Sequence, residues 1–223
     1  MGLLETYKKS FDLVKDHIVE SIIYGVLFYI LRGLLFLLPI LGAIIYSYFY
    51  PSLVAWYYTK VTGDNINPDY KTSFLSLLIP NLLASIGIIV ILYGTYYTLV
   101  PTGYTSLSEL TNYQYISYNP TLIIVGWIIA IISIILNILL LYTFYGSILG
   151  KVNKLLIYFE KSLILFAYIL LYTIIISVIL VIIYIIYALA ISISYGVVIF
   201  FILLTIFVVP TVTLVALLKA KEL

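Results

Sequence analysis

The chain has 223 residues, of which 65% are hydrophobic and 9% charged, with a formal net charge of +2. Soluble domains carry about 25% charged residues, so a water-soluble fold would lack the polar surface to cover itself, and the composition defines a polytopic membrane protein. The small net charge excludes a nucleic-acid footprint, the lack of cysteine excludes disulfides, thiolate catalysis and Cys-based metal sites, and the single histidine, His17, leaves no His–His metal pair.

The N-terminus, Met1–Lys9, has too few basic residues and too little apolar length for a cleavable signal peptide, so the mature protein is expected to begin at Met1. Residues 3–20 place Leu4, Tyr7, Phe11, Val14 and Ile18 at alternating three- and four-residue spacing, with Leu13 as the exception. That pattern predicts an amphipathic helix lying in the headgroup plane on the cytoplasmic side.

A helix needs about 20 apolar residues to cross the hydrocarbon core. Between Glu20 and Lys60 the only charge is Arg32, and Pro39-Ile-Leu-Gly42 marks a turn, which predicts two short spans at 21–38 and 42–59. Between Lys71 and Lys151 the only charge is Glu109, which allows spans at 80–100 and 121–146 around a Tyr-rich loop. Between Lys161 and Lys219 there is no charge, which allows spans at 163–187 and 196–218 with a turn near Ser192–Gly196. The predicted fold class is therefore an all-α integral membrane protein with six transmembrane helices arranged as three hairpins.

The lysines support that count. With both termini in the cytoplasm, Lys8, Lys9, Lys15, Lys60, Lys71, Lys151, Lys154, Lys161, Lys219 and Lys221 all fall on one side of the membrane. The positive-inside rule asks for such a split. A five-span reading would set the N-terminal lysines against those of the 60–71 loop and is rejected. The expected location is the plasma membrane.

The junctions ahead of each span pair share a short signature: Tyr7-Lys-Lys-Ser-Phe11, Tyr70-Lys-Thr-Ser-Phe74 and Phe159-Glu-Lys-Ser-Leu163. Asn67 is suited to cap a second surface helix with Pro68 in its first turn, and 151–162 suggests a third. These features suggest a single membrane domain built from three repeats, 3–60, 67–152 and 153–221. In its first hundred residues the chain resembles a group of uncharacterised prokaryotic integral membrane proteins. Their amphipathic helix leads into a short span ending in Pro-x-x-Gly, here Pro39–Gly42, and a second span leads to a Gly-Asp/Glu-x-x-x-Pro loop, here Gly63–Pro68. The resemblance implies architecture and no catalytic residues. Scarce Met and Gln beside abundant Ile and Tyr also fit an archaeal or thermophilic source.

Arg32 is the first candidate site residue. Seven residues before Pro39, it lies roughly 10 Å below the outer end of its span. It suits an anion, a lipid phosphate or a gate, or it snorkels to the interface with Glu109 as its partner. Gly33 beside it would let another helix approach closely. In span four, Gly126, Ala130, Ser133 and Asn137 form a small-to-polar stripe suited to helix packing, with a substrate-lining role as the alternative. Pro51 and Pro210 fall within spans and should kink them. Tyr104, Tyr113, Tyr115 and Tyr118 read as an aromatic belt. Asp64 and Asp69 lack the spacing of a calcium loop and read as a capped turn.

The predicted spans hold no Asp, Glu, His, Lys or Cys, so neither a general acid–base pair nor a metal cluster is expected, and no cofactor is implied. The expectation is a non-catalytic accessory, scaffold or lipid-organising subunit. Its partners would be membrane lipids and other subunits or a second copy. The alternative is a facilitative transporter or channel for a small or anionic solute using Arg32.

Overall fold

The computed structural model describes residues 2–96, 119–190 and 193–223. Every secondary-structure element among them is helical: α1 Leu3–Asp16, α2 Ile18–Leu37, α3 Pro39–Thr62, α4 Tyr70–Tyr96, α5 Pro120–Leu139, α6 Leu141–Ile148, α7 Phe159–Ala190, α8 Ile193–Leu203 and α9 Val209–Glu222, with a π-helical segment at Leu204–Val208. Six helical stretches are long and apolar enough to cross a membrane: α2, α3, Tyr70–Thr95 of α4, α5, Phe159–Ile186 of α7, and Val197–Glu222 at the C-terminal end.

Local chemistry sets the boundaries. Pro39 has no amide hydrogen and takes the first turn of α3, where that donor has no helical partner. Gly42 sits so close to the Leu34 carbonyl that any Cβ there would collide with backbone. Only glycine fits this turn. α3 ends on Gly63, whose φ of 70° is the left-handed conformation that glycine adopts without strain. Asn119 caps α5 by accepting from the Leu122 amide at 3.2 Å.

Several boundaries differ from the sequence expectation. α4 starts at Tyr70, ten residues before the predicted span. Its cap is Asp69, whose Oδ1 accepts from the Thr72 amide at 3.3 Å and whose Oδ2 accepts from the Thr72 hydroxyl at 2.7 Å. Asn67 does not fill that role, and the 67–74 segment runs directly into α4 instead of forming a surface helix. Residues 151–158 are non-helical, and α7 begins at Phe159. The predicted fourth span divides at Leu140 into α5 and α6. Pro51 and Pro80 lie inside α3 and α4. Pro210 follows the π segment, which closes with a Val209 amide to Leu204 carbonyl bond. An i→i−5 bond of this kind marks a π-bulge, a recognised site of helix bending.

α1 is docked on the protein. Thr6, Tyr7, Ser10 and Val14 are buried, whereas Leu4 is 78% exposed and Phe11 and Ile18 are each 43% exposed. The Tyr7 hydroxyl donates to the Tyr168 carbonyl at 2.7 Å and its ring meets Tyr172 edge-on. The predicted face is therefore rotated: its Tyr7 and Val14 pack against α7 and α9, and Leu4 points away.

Packing is uneven. α3 is the most buried span, with 56% of its most apolar window covered, against 11% in α5 and in α7. The C-terminal half of α9 is enclosed, with Leu214 and Leu217 fully buried. The segments bearing the lysines meet around it. Lys221 pairs with Asp64 at 2.8 Å, and Lys151 donates to the Ala220 carbonyl at 3.3 Å and to that of Lys221. Lys161 donates to the Leu223 carbonyl. Cations at a helix C-terminus complement its unpaired carbonyls and dipole.

Candidate functional site

Ser21, Gly25, Phe28 and Arg32 recur at three- and four-residue spacing and so share one face of α2. At the lysine-bearing end this face enters a core of tyrosines. Ser21 and Tyr24 are fully buried. The Ser21 hydroxyl lies 2.9 Å from that of Tyr57, and the Tyr24 ring stacks on Tyr57 with centroids 4.4 Å apart. The Tyr24 hydroxyl meets Thr213 at 2.9 Å and Tyr50 at 3.2 Å. Tyr50 in turn stacks against Tyr46 at 4.8 Å and Phe144 at 5.7 Å. Burying a hydroxyl is costly unless it is hydrogen-bonded, and aromatic rings add offset or edge contacts worth about 1 kcal/mol each. Among the described residues no buried side-chain oxygen or nitrogen lacks a partner. The hydroxyls serve one another, so helices α2, α3 and α9 are tied through side chains at the centre of the bundle.

Sequence reasoning missed this core because tyrosines in a membrane protein suggest the interface. The signal was present: Tyr46, Tyr50, Val54, Tyr57 and Tyr58 fall on one stripe of α3, and all five are buried.

Arg32 lies at the opposite end of the same α2 face. It is exposed, and its guanidinium carbon sits 5.8 Å from the centroid of the Phe28 ring, within cation–π range. No acidic side chain pairs with it among the described residues. Glu109 and the four loop tyrosines lie outside the described residues. Among the described residues nothing lies close to Gly33, so no described helix approaches there. That role falls to Gly25, where any Cβ would run into the Thr205 carbonyl of the π segment.

The stripe on α5 faces α4. A Cβ on Gly126 would stand 2.8 Å from the Gly87 carbonyl, and one on Gly87 would stand 2.9 Å from that of Gly126. The Ala130 amide lies beside Gly87. Ser133 is buried and donates to the Pro80 carbonyl at 2.8 Å. Asn137 donates to the Ser133 carbonyl of its own helix at 3.3 Å rather than across the contact.

Asp64, in the loop after α3, accepts from the Tyr58 hydroxyl and from Lys221, both at 2.8 Å. Lys221 first, then Tyr58, hold its carboxyl below the usual range. Burial, joined by the charges of Lys161 and Lys221, pulls the Lys151 ammonium below its usual range. A cleft of 320 Å³ opens here, lined by Lys9, Leu13, Thr62, Asp64, Leu218 and Lys221 with Glu222. Two apolar grooves flank α2. One, of 390 Å³, runs between α2 and α3 past Leu27, Ile30, Phe49 and Trp56; the other, of 420 Å³, lies against α8 and the π segment. Among the described residues no group of three or more His, Asp or Glu side chains comes together.

No family model, curated protein or solved structure matches the chain. The six apolar span-length helices define the class: a polytopic membrane protein.

Proposed function

We propose that this polytopic membrane protein is a non-catalytic accessory or scaffold subunit that organises lipid or partner subunits around its apolar spans. Both termini lie in the cytoplasm, the six spans form three hairpins, and the plasma membrane is its site. The observation that carries this reading is the contrast between interior and exterior. The centre of the bundle is filled by tyrosines and threonines that satisfy one another's hydroxyls. The outward surfaces of α5 and α7 are dominated by aliphatic side chains, among them Ile128, Ile131, Ile174 and Ile182, each about half exposed. An interior committed to its own hydrogen bonds supports a packing role, and a broad apolar exterior is suited to lipids or to other transmembrane helices.

The lysine distribution supports the orientation. All ten lysines lie outside the sequence-predicted hydrophobic runs, on connections that the positive-inside rule assigns to the cytoplasm. Purification in mild detergent, followed by native mass spectrometry, tests the reading. Stoichiometric co-purifying subunits or lipids are the expected result. Solute flux in sealed proteoliposomes, above that of protein-free vesicles and abolished by R32Q, would overturn it in favour of transport.

A further inference from the structure

α2 and the π segment touch where Gly25 meets the Thr205 carbonyl, and a groove opens beside that contact. The opening is the 420 Å³ groove lined by Val26, Tyr29 and Ile30 of α2, Phe201 of α8 and Thr205. Its walls are apolar, with Val26 46%, Ile30 55% and Phe201 57% exposed. Its floor is closed by the Gly25–Thr205 contact. One turn further along α2 from Tyr29 stands Arg32, the only arginine in the chain. It is five residues before the end of α2 at Leu37, about 8 Å along the axis. A flexible guanidinium spans that distance by snorkelling toward the headgroups.

We infer that this groove and Arg32 together form a binding site for one phospholipid of the leaflet opposite the lysine-bearing end. The acyl chain lies along Val26, Ile30 and Phe201 down to the Gly25–Thr205 floor, and the phosphate meets the Arg32 guanidinium beside the Tyr29 hydroxyl. The inference rests on the lipid-organising reading above and gives it a place and a ligand class.

Charge complementarity selects this occupant over the others. A cation held within a spanning helix needs an anion, and guanidinium matches phosphate in a bidentate fork. Lipid phosphates already lie at the depth that Arg32 reaches. A partner helix would have to carry a carboxylate into the bilayer, which is costly. A second copy of this chain has none to offer from its spans: between Glu20 and Asp64, and between Glu160 and Glu222, there is no acidic residue, and between Asp69 and Glu160 only the loop residue Glu109.

The test is the phospholipid retained by detergent-purified protein, read as bound mass by native mass spectrometry after reconstitution and re-extraction from phosphatidylglycerol–phosphatidylcholine vesicles. Wild type is expected to keep one phospholipid per chain. Arg32→Gln should lower that occupancy by about tenfold, the change carried by one charge-assisted hydrogen bond. Val26→Phe, which fills the groove without touching the charge, should lower it as well. Arg32→Lys, which keeps the charge but loses the fork, should fall between and serves as the reading if Arg32→Gln does not fold. Equal retention by wild type, the Arg32 variants and Val26→Phe would overturn the site. So would an Arg32-dependent adduct with the mass of inorganic phosphate, a second copy or another protein. The flux and subunit measurements above are independent of this count, so failure of the lipid site and failure of the scaffold reading give different results.

Discussion

The two ends of the bundle are built on different principles. At the lysine-bearing end, α3 and the C-terminal half of α9 are enclosed, and hydroxyls, rings and ammonium groups find partners within the chain. At the other end, the far halves of α2, α5 and α7 present Ile, Leu and Val outward, and Arg32 meets the Phe28 ring with no acidic partner among the described residues. In lipid no hydrophobic force separates protein side chains from acyl chains, so tight association comes from polar bonds and close backbone approach. The first end has both. At the second, among the described residues, close approach comes at the glycines that join α4 to α5 and at the Gly42 turn between α2 and α3. One half therefore carries the fold and the other is left for the bilayer or a partner.

The sharpest way to break this comparison is to truncate one large side chain in each half. Tyr24→Ala should cost about 3–5 kcal/mol, as large aromatic deletions do, measured as the loss of folded protein in a denaturant titration in detergent. Ile131→Ala, at a site 53% exposed, should cost less than about 0.5 kcal/mol. Equal losses would dissolve the distinction. Next in size is Gly126→Val, which drives a side chain into Ile91 and the Gly87 carbonyl and should cost about 1–3 kcal/mol. Gly33→Ala has room and should be neutral or stabilising by up to about 1 kcal/mol; a large loss there would show that α2 packs on something at that end. Tyr24→Phe keeps the ring and removes its bonds to the Thr213 and Tyr50 hydroxyls, while Thr213 keeps its bond to the Val209 carbonyl, for about 1 kcal/mol.

The smallest effect concerns Asp64. Its carboxyl is lowered in the folded state by Lys221 and Tyr58, so its contribution is present above the unfolded carboxylate range and is lost as pH falls through the lowered value. Stability should therefore decline below about pH 4, and Asp64→Asn should flatten that decline. The pair is 52% and 39% exposed, so the difference is a fraction of 1 kcal/mol. A pH series of thermal melts on the two proteins checks it.

Much of the fold was legible because charges and backbone-restricted residues have few places to go. Counting lysines located six spans, and Pro39 with Gly42 located the first turn, since proline lacks a donor and this glycine cannot carry a Cβ. The start of α4 was misplaced because the span was measured by apolar length from residue 80, whereas the helix begins beside its Asp69 cap and carries Pro80 inside it. The stripe on α5 was visible as a pattern, but only tertiary structure reveals that Asn137 bonds its own helix. The tyrosine core was hidden for a related reason: a tyrosine's hydroxyl suits either the interface or a buried partner, and which applies depends on Thr213, 189 residues away from Tyr24.

The most direct test of the central claim, a closed and self-satisfied core, uses the absence of cysteine from the chain. Ser47→Cys places the sole thiol at a fully buried position on α3. Reaction with a charged, membrane-impermeant thiol reagent is then followed in proteoliposomes from each side. The account predicts no labelling from either face while Ser52→Cys, on the exposed side of α3, takes up a small lipid-permeable reagent. Labelling of Ser47→Cys by the charged reagent would reveal a water-filled path through the tyrosines and contradict it.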